Sequence, residues 1–405
     1  MAFPSFRPSL VLGFPKDIKV YKRKGFKQSY LTRDICEHVF IEWNTIKSGI
    51  EEGTMINLRV VLYGVGAVGS LIAKFLLEKE GLEIVGAVDI AKDKIGRDLG
   101  EVLGLGKKLG IEISADADAL LSEVKADIAI HATSSFLKDT FPQIASIIKH
   151  GVKVISTCEE LSYPYYTENE IAEKLDTLAK KHNATVLGTG INPGFLMDTL
   201  VITLTAVCQK IEKIEATRVM NAATRRLPFQ KKIGAGLTVE EFRRKIENKQ
   251  ITGHVGLEQS IAMIADALAW KLDKISVEPV EPVITKKPAE STDIKVKAGD
   301  AAGLRQKARG VMKNREMIVL DFQAYIGAEE EYDAVTINGI PNVKQKIQPC
   351  VHGDISTVAM VVNSIPKVVN AQSGLFTMKD LPVPSAALND MRKYFSLEPH
   401  SRLRR

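Results

Sequence analysis

The stretch LRVVLYGVGAVGSLIAKFLLEKEG, residues 58–81, decides the fold class of this 405-residue chain. It begins with a short apolar run rich in β-branched residues, continues with GVGAVG (64–69), and ends in a segment whose apolar residues recur at helical spacing. The first run indicates a buried strand and the last segment a helix. A strand, a glycine-rich turn and a helix in this order are typical of a domain that binds a dinucleotide.

The turn fits the pattern G-x-G-x-x-G, in which each glycine has a geometric reason. Gly64 permits the tight turn, Gly66 lets the backbone approach a pyrophosphate, and Gly69 allows the helix to pack closely on the strand. The helix N-terminus supplies unpaired N–H groups and a positive dipole to the anion. We therefore predict that the cofactor binds to the backbone of six consecutive residues: Gly64, Val65, Gly66, Ala67, Val68 and Gly69.

An acidic residue follows at the distance that this motif requires. Asp89 ends the second apolar strand, LEIVGAVDI (82–90), 20 residues beyond Gly69. A carboxylate there accepts hydrogen bonds from the adenosine ribose and repels a 2′-phosphate, which favours NAD. Lys92 and Lys94 lie just beyond and would partly restore the binding of NADP. The predicted cofactor is NAD or NADP.

The alternation of strands and helices continues through the first half of the chain. Apolar strands are predicted at 127–134, 152–157 and 185–190, with helices at 141–151 and 167–183. Continuous apolar strands that alternate with helices imply a parallel sheet covered on both faces. We assign residues 55–190 to an α/β domain with a Rossmann-type, doubly wound parallel sheet.

The pattern changes after residue 190. Residues 191–350 are assigned to a second, α+β domain for substrate binding or dimerisation, with strands of an antiparallel sheet at 317–327 and 332–339. Residues 351–405 are predicted to form a helix that is interrupted at Pro366 and returns to the first domain, followed by a tail. Residues 1–54 show no sustained period and are expected to be a poorly ordered extension.

Composition narrows the class of protein. The net charge of +6 includes no dense basic block interleaved with aromatic residues, so nucleic acid is not an expected partner. No apolar run approaches the roughly 18 residues of a membrane span, so no membrane association is expected. The four cysteines form no C-x-x-C pair, which argues against a metal site and favours a reducing compartment, the cytoplasm.

Polar residues follow several strands of the predicted sheet, at the edge where α/β domains bind ligands. Thr133 and Ser134 are candidates to contact the ribose or the nicotinamide, although a helix N-cap explains them equally well. Asn192, directly before Pro193, is a candidate anchor for the nicotinamide carboxamide; a simple turn is the alternative.

Two adjacent carboxylates, Glu159 and Glu160, follow the predicted strand 152–157 in the stretch CEELSYPYY (158–166). A carboxylate in a desolvated cleft can hold an ammonium group and transfer protons to an attacking water. Solvated loop residues are the alternative, and we expect one of the two neighbours to face the cleft and the other to face solvent. Tyr163 in the same loop is a candidate substrate contact.

The second domain offers further candidates. A basic, glycine-containing segment (221–236) groups Arg225, Arg226, Lys231 and Lys232. This cluster could bind a substrate carboxylate, for which a bidentate arginine such as Arg225 or Arg226 is better suited. A solvated basic loop is the alternative for these residues. His254 precedes an apolar helix and either lines the pocket or caps that helix.

Several segments together resemble the 2,4-diaminopentanoate dehydrogenase family over residues from about 55 to 385. The segments include GVGAVG (64–69), VISTCEELSYPYY (154–166), GTGINPGFLMDTL (188–200), RRLPFQKKIGAGL (225–237) and GHVGLEQS (253–260). The family also includes native amine dehydrogenases, and its first domain is similar to that of dihydrodipicolinate reductase.

The resemblance implies NAD(P)-dependent oxidative deamination of 2,4-diaminopentanoate at C4, which gives 2-amino-4-oxopentanoate and ammonia. It also places the catalytic glutamate in the loop TCEELSYP (157–164), on Glu160, with Glu159 as the second choice. The alternatives are a broad-specificity amine dehydrogenase, a reductase similar to dihydrodipicolinate reductase, and a redox sensor that binds NAD(P) without turnover. An exposed sheet in the second domain leads us to expect a homodimer.

Overall fold

The computed structural model of the chain describes residues 57–395. Within this range the chain forms two seven-stranded sheets and a short two-stranded one. The predicted extension at 1–54 and the last residues of the predicted tail lie outside the described residues.

The first sheet is parallel throughout. Its strands are β1 (Leu58–Tyr63), β2 (Leu82–Val88), β3 (Ile113–Ser114), β4 (Ile128–His131), β5 (Lys153–Ser156), β6 (Thr185–Gly188) and the late strand Gly374–Phe376. The order across the sheet, starting from β3, is β3, β2, β1, β4, β5, β6 and then the late strand. The first six strands thus have the order of a Rossmann fold, with the switch of direction between β1 and β4. The predicted fold class is confirmed.

Helices cover both faces of this sheet. They are α1 (Ala67–Leu77), α2 (Leu99–Val102), α3 (Ala117–Glu123), α4 (Leu137–Lys149) and α5 (Asn169–Lys181). Strand β1 shows why both faces need cover: Leu58, Val60 and Leu62 join one buried cluster and Val61 joins the other. All four residues are at most 1% exposed. Alternate residues of a strand point to opposite faces, so buried apolar residues on both faces require two cores.

The second sheet is mixed rather than antiparallel. Its strands are β7 (Lys210–Asn221), β8 (Lys274–Val277), β9 (Glu281–Ile284), β12 (Ala301–Met312), β13 (Arg315–Tyr325), β14 (Tyr332–Ile340) and β15 (Val343–Ile347), while β10 (Ala289–Glu290) and β11 (Lys295–Val296) form the two-stranded sheet. The sequence predicted β13 and β14 as strands of an antiparallel sheet, but the unpredicted β7 lies between them and runs parallel to β13. A parallel pair needs a long crossover, which residues 222–314 provide.

The helices of the second half lie between and beside these strands. They are α6 (Thr199–Thr205), α7 (Leu227–Lys232), α8 (Val239–Glu247), α9 (Leu257–Ala267) and α10 (Gly353–Asn370). Helix α9 packs on β12 and β13, and α10 packs on α1 and β5 of the first domain. The predicted break of α10 at Pro366 is wrong: the helix continues, and Pro366 is buried. A proline weakens a helix by one backbone hydrogen bond, and the packing of α10 against the first domain offsets that loss.

No helix between residues 57 and 395 has the length and apolar character to cross a membrane. The thiols of Cys158, Cys208 and Cys350 are free.

Candidate active site

The loops that follow β1, β4, β5 and β6 open into a cavity of about 560 Å³ whose other wall comes from the second half of the chain. The cavity is lined by Gly66, Ala67, Val68, Ala132, Thr133, Ser134, Ser135, Phe136, Thr157, Glu159, Gly190, Ile191, Asn192, Pro193, Arg218, Met220, Arg225, Arg226, Phe229, Lys232, His254, Phe322, Gly353, Asp354 and Thr357. It lies at the switch point of the first sheet, where open α/β sheets bind their ligands.

The three glycines of the turn after β1 have different surroundings. A Cβ atom on Gly64, whose φ is +98°, would lie 2.4 Å from the carbonyl oxygen of Ala132. A Cβ atom on Gly69 would lie 1.9 Å from the carbonyl oxygen of Gly64. A Cβ atom on Gly66, the N-cap of α1, would meet no atom within 4 Å. Gly66 also lines the cavity. Gly64 and Gly69 therefore allow the chain to pack, and Gly66 leaves an open approach to the helix N-terminus.

Asp89 stabilises this turn through hydrogen bonds. Its Oδ2 accepts hydrogen bonds from the backbone N–H of Val65 at 2.8 Å and from Nζ of Lys94 at 3.0 Å, and its Oδ1 accepts one from Ala91 N–H at 2.9 Å. Burial alone would raise the pKa of Asp89, but these hydrogen bonds and the Lys94 charge lower it. Asp89 is thus an ionised carboxylate whose charge is partly neutralised by Lys94.

Glu160 caps a helix. Its Oε2 accepts a hydrogen bond of 2.6 Å from the backbone N–H of Leu137, the first residue of α4. The Glu160 N–H in turn donates to the carbonyl oxygen of Ser135 at 3.2 Å. A carboxylate at this position satisfies an unpaired N–H group and interacts favourably with the helix dipole. These two bonds join the loops after β4 and β5 and direct the Glu160 side chain to the helix.

Glu159, the preceding residue, lines the cavity. Burial raises the pKa of its carboxyl group, while a hydrogen bond from Ser135 and the positive charge of Lys232 act in the opposite direction. Such a carboxyl group exchanges protons more readily near neutral pH than an exposed glutamate, as a general acid–base requires.

Asn192 faces the cavity from the loop after β6. Its Nδ2 donates to Nε2 of His254 at 3.0 Å, and its buried Oδ1 has no hydrogen-bond partner within residues 57–395. The loop is held by the buried Asp198, which accepts hydrogen bonds from Gly194 N–H at 2.7 Å and from the Ser260 hydroxyl at 2.8 Å. A rigidly held acceptor without a partner is a place for a ligand N–H group.

His254 contributes a flat, neutral surface. Its ring stacks on Phe322 with a centroid distance of 4.4 Å and an interplanar angle of 9°. Burial, together with the charges of Lys232 and Arg218, lowers the pKa of His254 to about 3. The imidazole is therefore uncharged at neutral pH and accepts the Asn192 hydrogen bond at Nε2. His254 lines the cavity, and the N-cap of α9 is Gly256.

Arg225 and Arg226 both line the cavity, but Asp354 already binds them. Arg225 Nη2 lies 2.9 Å from one oxygen of Asp354, and Arg226 Nε lies 3.3 Å from the other. The Arg225 guanidinium also stacks on Phe229 at 4.4 Å. Arg225 is 7% exposed, and its Nε has no hydrogen-bond partner among the described residues. Both arginines thus bind the first turn of α10 through Asp354.

Tyr163 lies elsewhere. It faces a second depression of about 270 Å³, lined also by Tyr165, Trp270, Asp266 and other residues of α9 and β8. Burial and the charge of Asp266 raise the pKa of Tyr163. The loop 158–166 therefore contributes to two depressions, and Tyr163 is on the side away from Glu159.

The cavity brings together ten of the candidate residues: Gly66, Ala67, Val68, Thr133, Ser134, Glu159, Asn192, Arg225, Arg226 and His254. The remaining six are not among its described lining residues: Gly64, Val65, Gly69, Asp89, Glu160 and Tyr163.

Sequence reasoning missed Arg218 and Asp354, and it named Lys232 only as one member of the basic segment 221–236. Arg218 is 1% exposed and lies on β7, which was not predicted as a strand. A signal existed, because Arg218 occupies the same face of the strand as Ile214 and Ala216 at a spacing of two residues. An arginine in an apolar register position is unusual enough to mark a candidate. Helix α7 presents Lys232, and the first turn of α10 presents Asp354.

Comparisons with known proteins agree with this arrangement. Residues 195–397 match the 2,4-diaminopentanoate dehydrogenase C-terminal domain, and residues 58–187 match the N-terminus of dihydrodipicolinate reductase. A curated 2,4-diaminopentanoate dehydrogenase from Acetoanaerobium sticklandii is 38% identical over 350 residues, which cover 85% of this chain and 99% of that protein.

Two amine dehydrogenases are also similar. The protein from Streptomyces virginiae is 22% identical over 356 residues, which cover 81% of this chain and 97% of that protein. The solved structure of the amine dehydrogenase from Mycobacterium smegmatis superposes with a TM-score of 0.70 at 29% identity, covering 80% of this chain and 96% of that one. On the matches over most of its length, the chain belongs to the 2,4-diaminopentanoate dehydrogenase family.

Proposed function

We propose that the chain catalyses the NAD(P)-dependent oxidative deamination of 2,4-diaminopentanoate at C4, with Glu159 as the acid–base residue. The observation that carries this proposal is that Glu159 lines the cavity together with cationic residues of the second domain. Of the two carboxylates that line the described cavity, Asp354 is bound by two arginines, while Glu159 accepts a hydrogen bond from a serine. Glu159 is therefore available to a substrate ammonium group.

The residues present fit a nicotinamide dinucleotide. Gly66 leaves open space at the N-terminus of α1, where a pyrophosphate would bind to the unpaired backbone N–H groups. The unpartnered Oδ1 of Asn192 would accept a hydrogen bond from the carboxamide N–H₂ group. Thr133 and Ser134 line the same cavity, with their hydroxyl groups donating to Gln143 and Asp139. When bound, the oxidised nicotinamide would supply the acceptor for the hydride that leaves C4.

Glu159 would carry out the proton transfers of the reaction. Ionised Glu159 would take a proton from the C4 ammonium group, so that the nitrogen lone pair can form the C=N bond as the hydride departs. Water then adds to C4, and Glu159 would donate its proton to the nitrogen and take one from the added water. When the C–N bond breaks, the remaining hydroxyl proton passes to the leaving ammonia, which departs as ammonium, and Glu159 releases its proton to solvent. The diamine, water and NAD(P)⁺ thus give 2-amino-4-oxopentanoate, ammonium, NAD(P)H and one proton. Neutral His254 would provide a wall without competing for the ammonium charge.

The test is turnover by the full-length protein. Formation of NAD(P)H from 2,4-diaminopentanoate, with ammonia and the 4-oxo product identified by mass spectrometry, would support the proposal. Cofactor binding without turnover of any diamine or amine would overturn it and favour a redox sensor.

A second candidate is a broad-specificity amine dehydrogenase on simple amines. It is favoured by the apolar part of the cavity wall, which includes Met220, Phe229 and Phe322, and by the similarity to two amine dehydrogenases. Comparison of kcat/KM for the diamino acid with that for a simple alkyl amine of the same chain length separates the two candidates.

We propose that both NAD and NADP are accepted. Asp89 disfavours a 2′-phosphate, but Lys94 at 3.0 Å reduces the repulsion and offers a cation to the phosphate. Lys94→Met should lower kcat/KM with NADP more than with NAD, by about tenfold or less, because a partly exposed ion pair contributes up to ~1 kcal/mol. Equal changes with both cofactors would contradict this role.

A homodimer in the cytoplasm is the proposed state. The dimer is supported by the edge strands of the second sheet, such as β15. The cytoplasm is supported by the free thiols of Cys208 and Cys350, which suit a reducing compartment. Sedimentation of the full-length protein tests the dimer, and a monomer at micromolar concentration would contradict it.

A further inference from the structure

The cavity wall contains more cationic groups than carboxylates. Arg218, Arg225, Arg226 and Lys232 are its cations, whereas Glu159 and Asp354 are its carboxylates. Three of the four cations have defined partners. Asp354 binds Arg225 and Arg226, and Arg218 is 2.9 Å from the buried Asp333 and donates to the carbonyl oxygen of Val351.

Lys232 is the exception. It makes no ion pair with any residue between 57 and 395, and it lies at the solvent-exposed end of α7 while lining the cavity. The neighbouring Lys231 is also exposed but is not among the described lining residues. A lysine ammonium is a flexible point charge that can follow a carboxylate, and here no protein carboxylate holds it.

Lys232, Glu159 and His254 all line the same cavity. The Lys232 charge opposes the burial-raised pKa of Glu159 and contributes to the lowered pKa of His254. The cavity therefore has one free cation and one free carboxylate among its described residues. A molecule with a carboxylate at one end and an amine at the other would match this pair of charges.

We propose that Lys232 binds the carboxylate of the substrate and thereby selects the amine that Glu159 receives; this inference rests on the proposed function. In 2,4-diaminopentanoate the C2 amine is attached next to the carboxylate, and the C4 amine is two carbons farther away. With the carboxylate held at Lys232, the C2 amine remains at the cationic end and the C4 amine extends towards Glu159. Lys232 is thus a specificity-determining residue for which position is oxidised.

The arginines are less suited to this task. Removing Arg225 or Arg226 from Asp354 to bind a substrate would take away one of the two partners of a carboxylate that is only 14% exposed. Arg218 is 1% exposed and would have to leave Asp333. Lys232 can bind a carboxylate without breaking any described ion pair.

The experiment compares two substrates in two proteins. Butane-1,3-diamine is 2,4-diaminopentanoate without its carboxylate, and Lys232→Met removes the proposed partner while it retains the aliphatic stem. In the wild type, the acid should have a kcat/KM higher than that of the diamine by a factor on the order of 10 to 100, the range for a hydrogen bond to a charged group. In Lys232→Met most of that preference should disappear, mainly through KM, because kcat/KM should fall more for the acid than for the diamine.

Two further measurements make the result specific. Lys231→Met is the matched control and should retain the wild-type preference. Calorimetric binding of the acid to the NADH-bound protein should weaken in Lys232→Met and not in Lys231→Met. Product analysis of the acid reaction in Lys232→Met should also show some 4-amino-2-oxopentanoate, the product of oxidation at C2.

The outcomes are distinguishable. A wild type that oxidises the acid, together with a Lys232→Met variant that keeps the full preference for it, would overturn this inference and leave the proposed function intact. A wild type that oxidises neither compound would overturn the proposed function and this inference with it.

Discussion

The two walls of the cavity are built in different ways. The wall from the first domain consists of loops at the carboxyl ends of parallel strands, and its residues follow one another closely in the chain, as in 132–136 and 190–193. The wall from the second domain is assembled from one face of β7, the end of α7, the turn before α9 and the start of α10. The first wall presents a helix N-terminus and backbone groups to the cavity, and the second presents mainly charged and aromatic side chains. Cofactor binding can therefore be recognised by motif, whereas substrate binding depends on which side chains meet.

The strongest test of the first wall uses its two adjacent glutamates. Glu159→Gln should lower kcat/KM by a factor of about 10² to 10⁴, the range for loss of a general acid–base. Glu160→Gln should lower it less than about tenfold, because a glutamine oxygen can still accept the Leu137 N–H hydrogen bond. Steady-state kinetics of the two variants decide the assignment. If the large loss occurs in Glu160→Gln instead, the assignment to Glu159 fails.

The glycine turn permits a test of cofactor binding against chain packing. Gly66→Val should raise the dissociation constant for the cofactor by at least about tenfold, or ~1.4 kcal/mol, because the side chain would occupy the open approach. Its melting temperature should be unchanged. Gly64→Ala should be destabilised by about 1–3 kcal/mol, because a residue with φ of +98° would place Cβ against the Ala132 carbonyl. Cofactor titration and thermal unfolding measure the two effects. A destabilised Gly66→Val that binds the cofactor normally, together with a stable Gly64→Ala that binds it weakly, would contradict these roles.

The second wall is tested by its arginine pair. Arg225→Met should lower the free energy of unfolding by about 3 kcal/mol, because it leaves a mostly buried carboxylate with one remaining partner. Arg226→Met, in which the lost side chain is 40% exposed, should cost less than ~1 kcal/mol. Urea denaturation measures both. Similar losses of unfolding free energy in the two variants would contradict the expectation that the buried Arg225 stabilises the fold more than the exposed Arg226.

The smallest expected effect is the pH dependence of kcat/KM, which involves Glu159 of the first wall and His254 of the second. Glu159 has a pKa raised by burial above its ordinary value of 4.5, so kcat/KM should fall as the pH is lowered through that raised pKa. His254, with a pKa of about 3, should add no second limb near neutrality. A His254→Asn variant that loses a limb of the profile would contradict the neutral role.

The same shift predicts a change in stability. A carboxyl group with a raised pKa in the folded state binds its proton more tightly there, so its contribution to stability is lost as the pH rises through the folded pKa. Relative to the wild type, Glu159→Gln should therefore gain stability as the pH rises. Glu241→Gln is the control of opposite sign, because the Thr238 hydrogen bonds lower the pKa of Glu241. Thermal unfolding at several pH values measures both differences.

Particular elements show how far the sequence could be interpreted. Strands β1, β2, β4, β5 and β6 and the glycine turn were predictable, because a buried parallel strand is a nearly continuous apolar run and the turn has a specific glycine spacing. The two-residue strand β3 and the late strand Gly374–Phe376 were not predicted, because they are too short to show a pattern. Strand β7 was missed because its buried face includes Arg218, and a charged residue breaks the apolar pattern. Asp354 gave no signal at all, because its importance comes from two arginines about 130 positions earlier in the chain.

By itself the sequence determined that a dinucleotide site follows β1, that carboxylates follow β5, and that the chain resembles a family of amine-oxidising dehydrogenases. Local properties suffice for these conclusions, since glycine spacing and apolar periodicity are encoded in neighbouring residues. Our proposal of Glu159 rather than Glu160 rests on the tertiary structure alone, because the N-terminus of α4 binds the Glu160 carboxylate while Glu159 lines the cavity. The tertiary structure alone also separated the two paired arginines from Lys232, because an ion pair depends on distance in space and not on order in the chain.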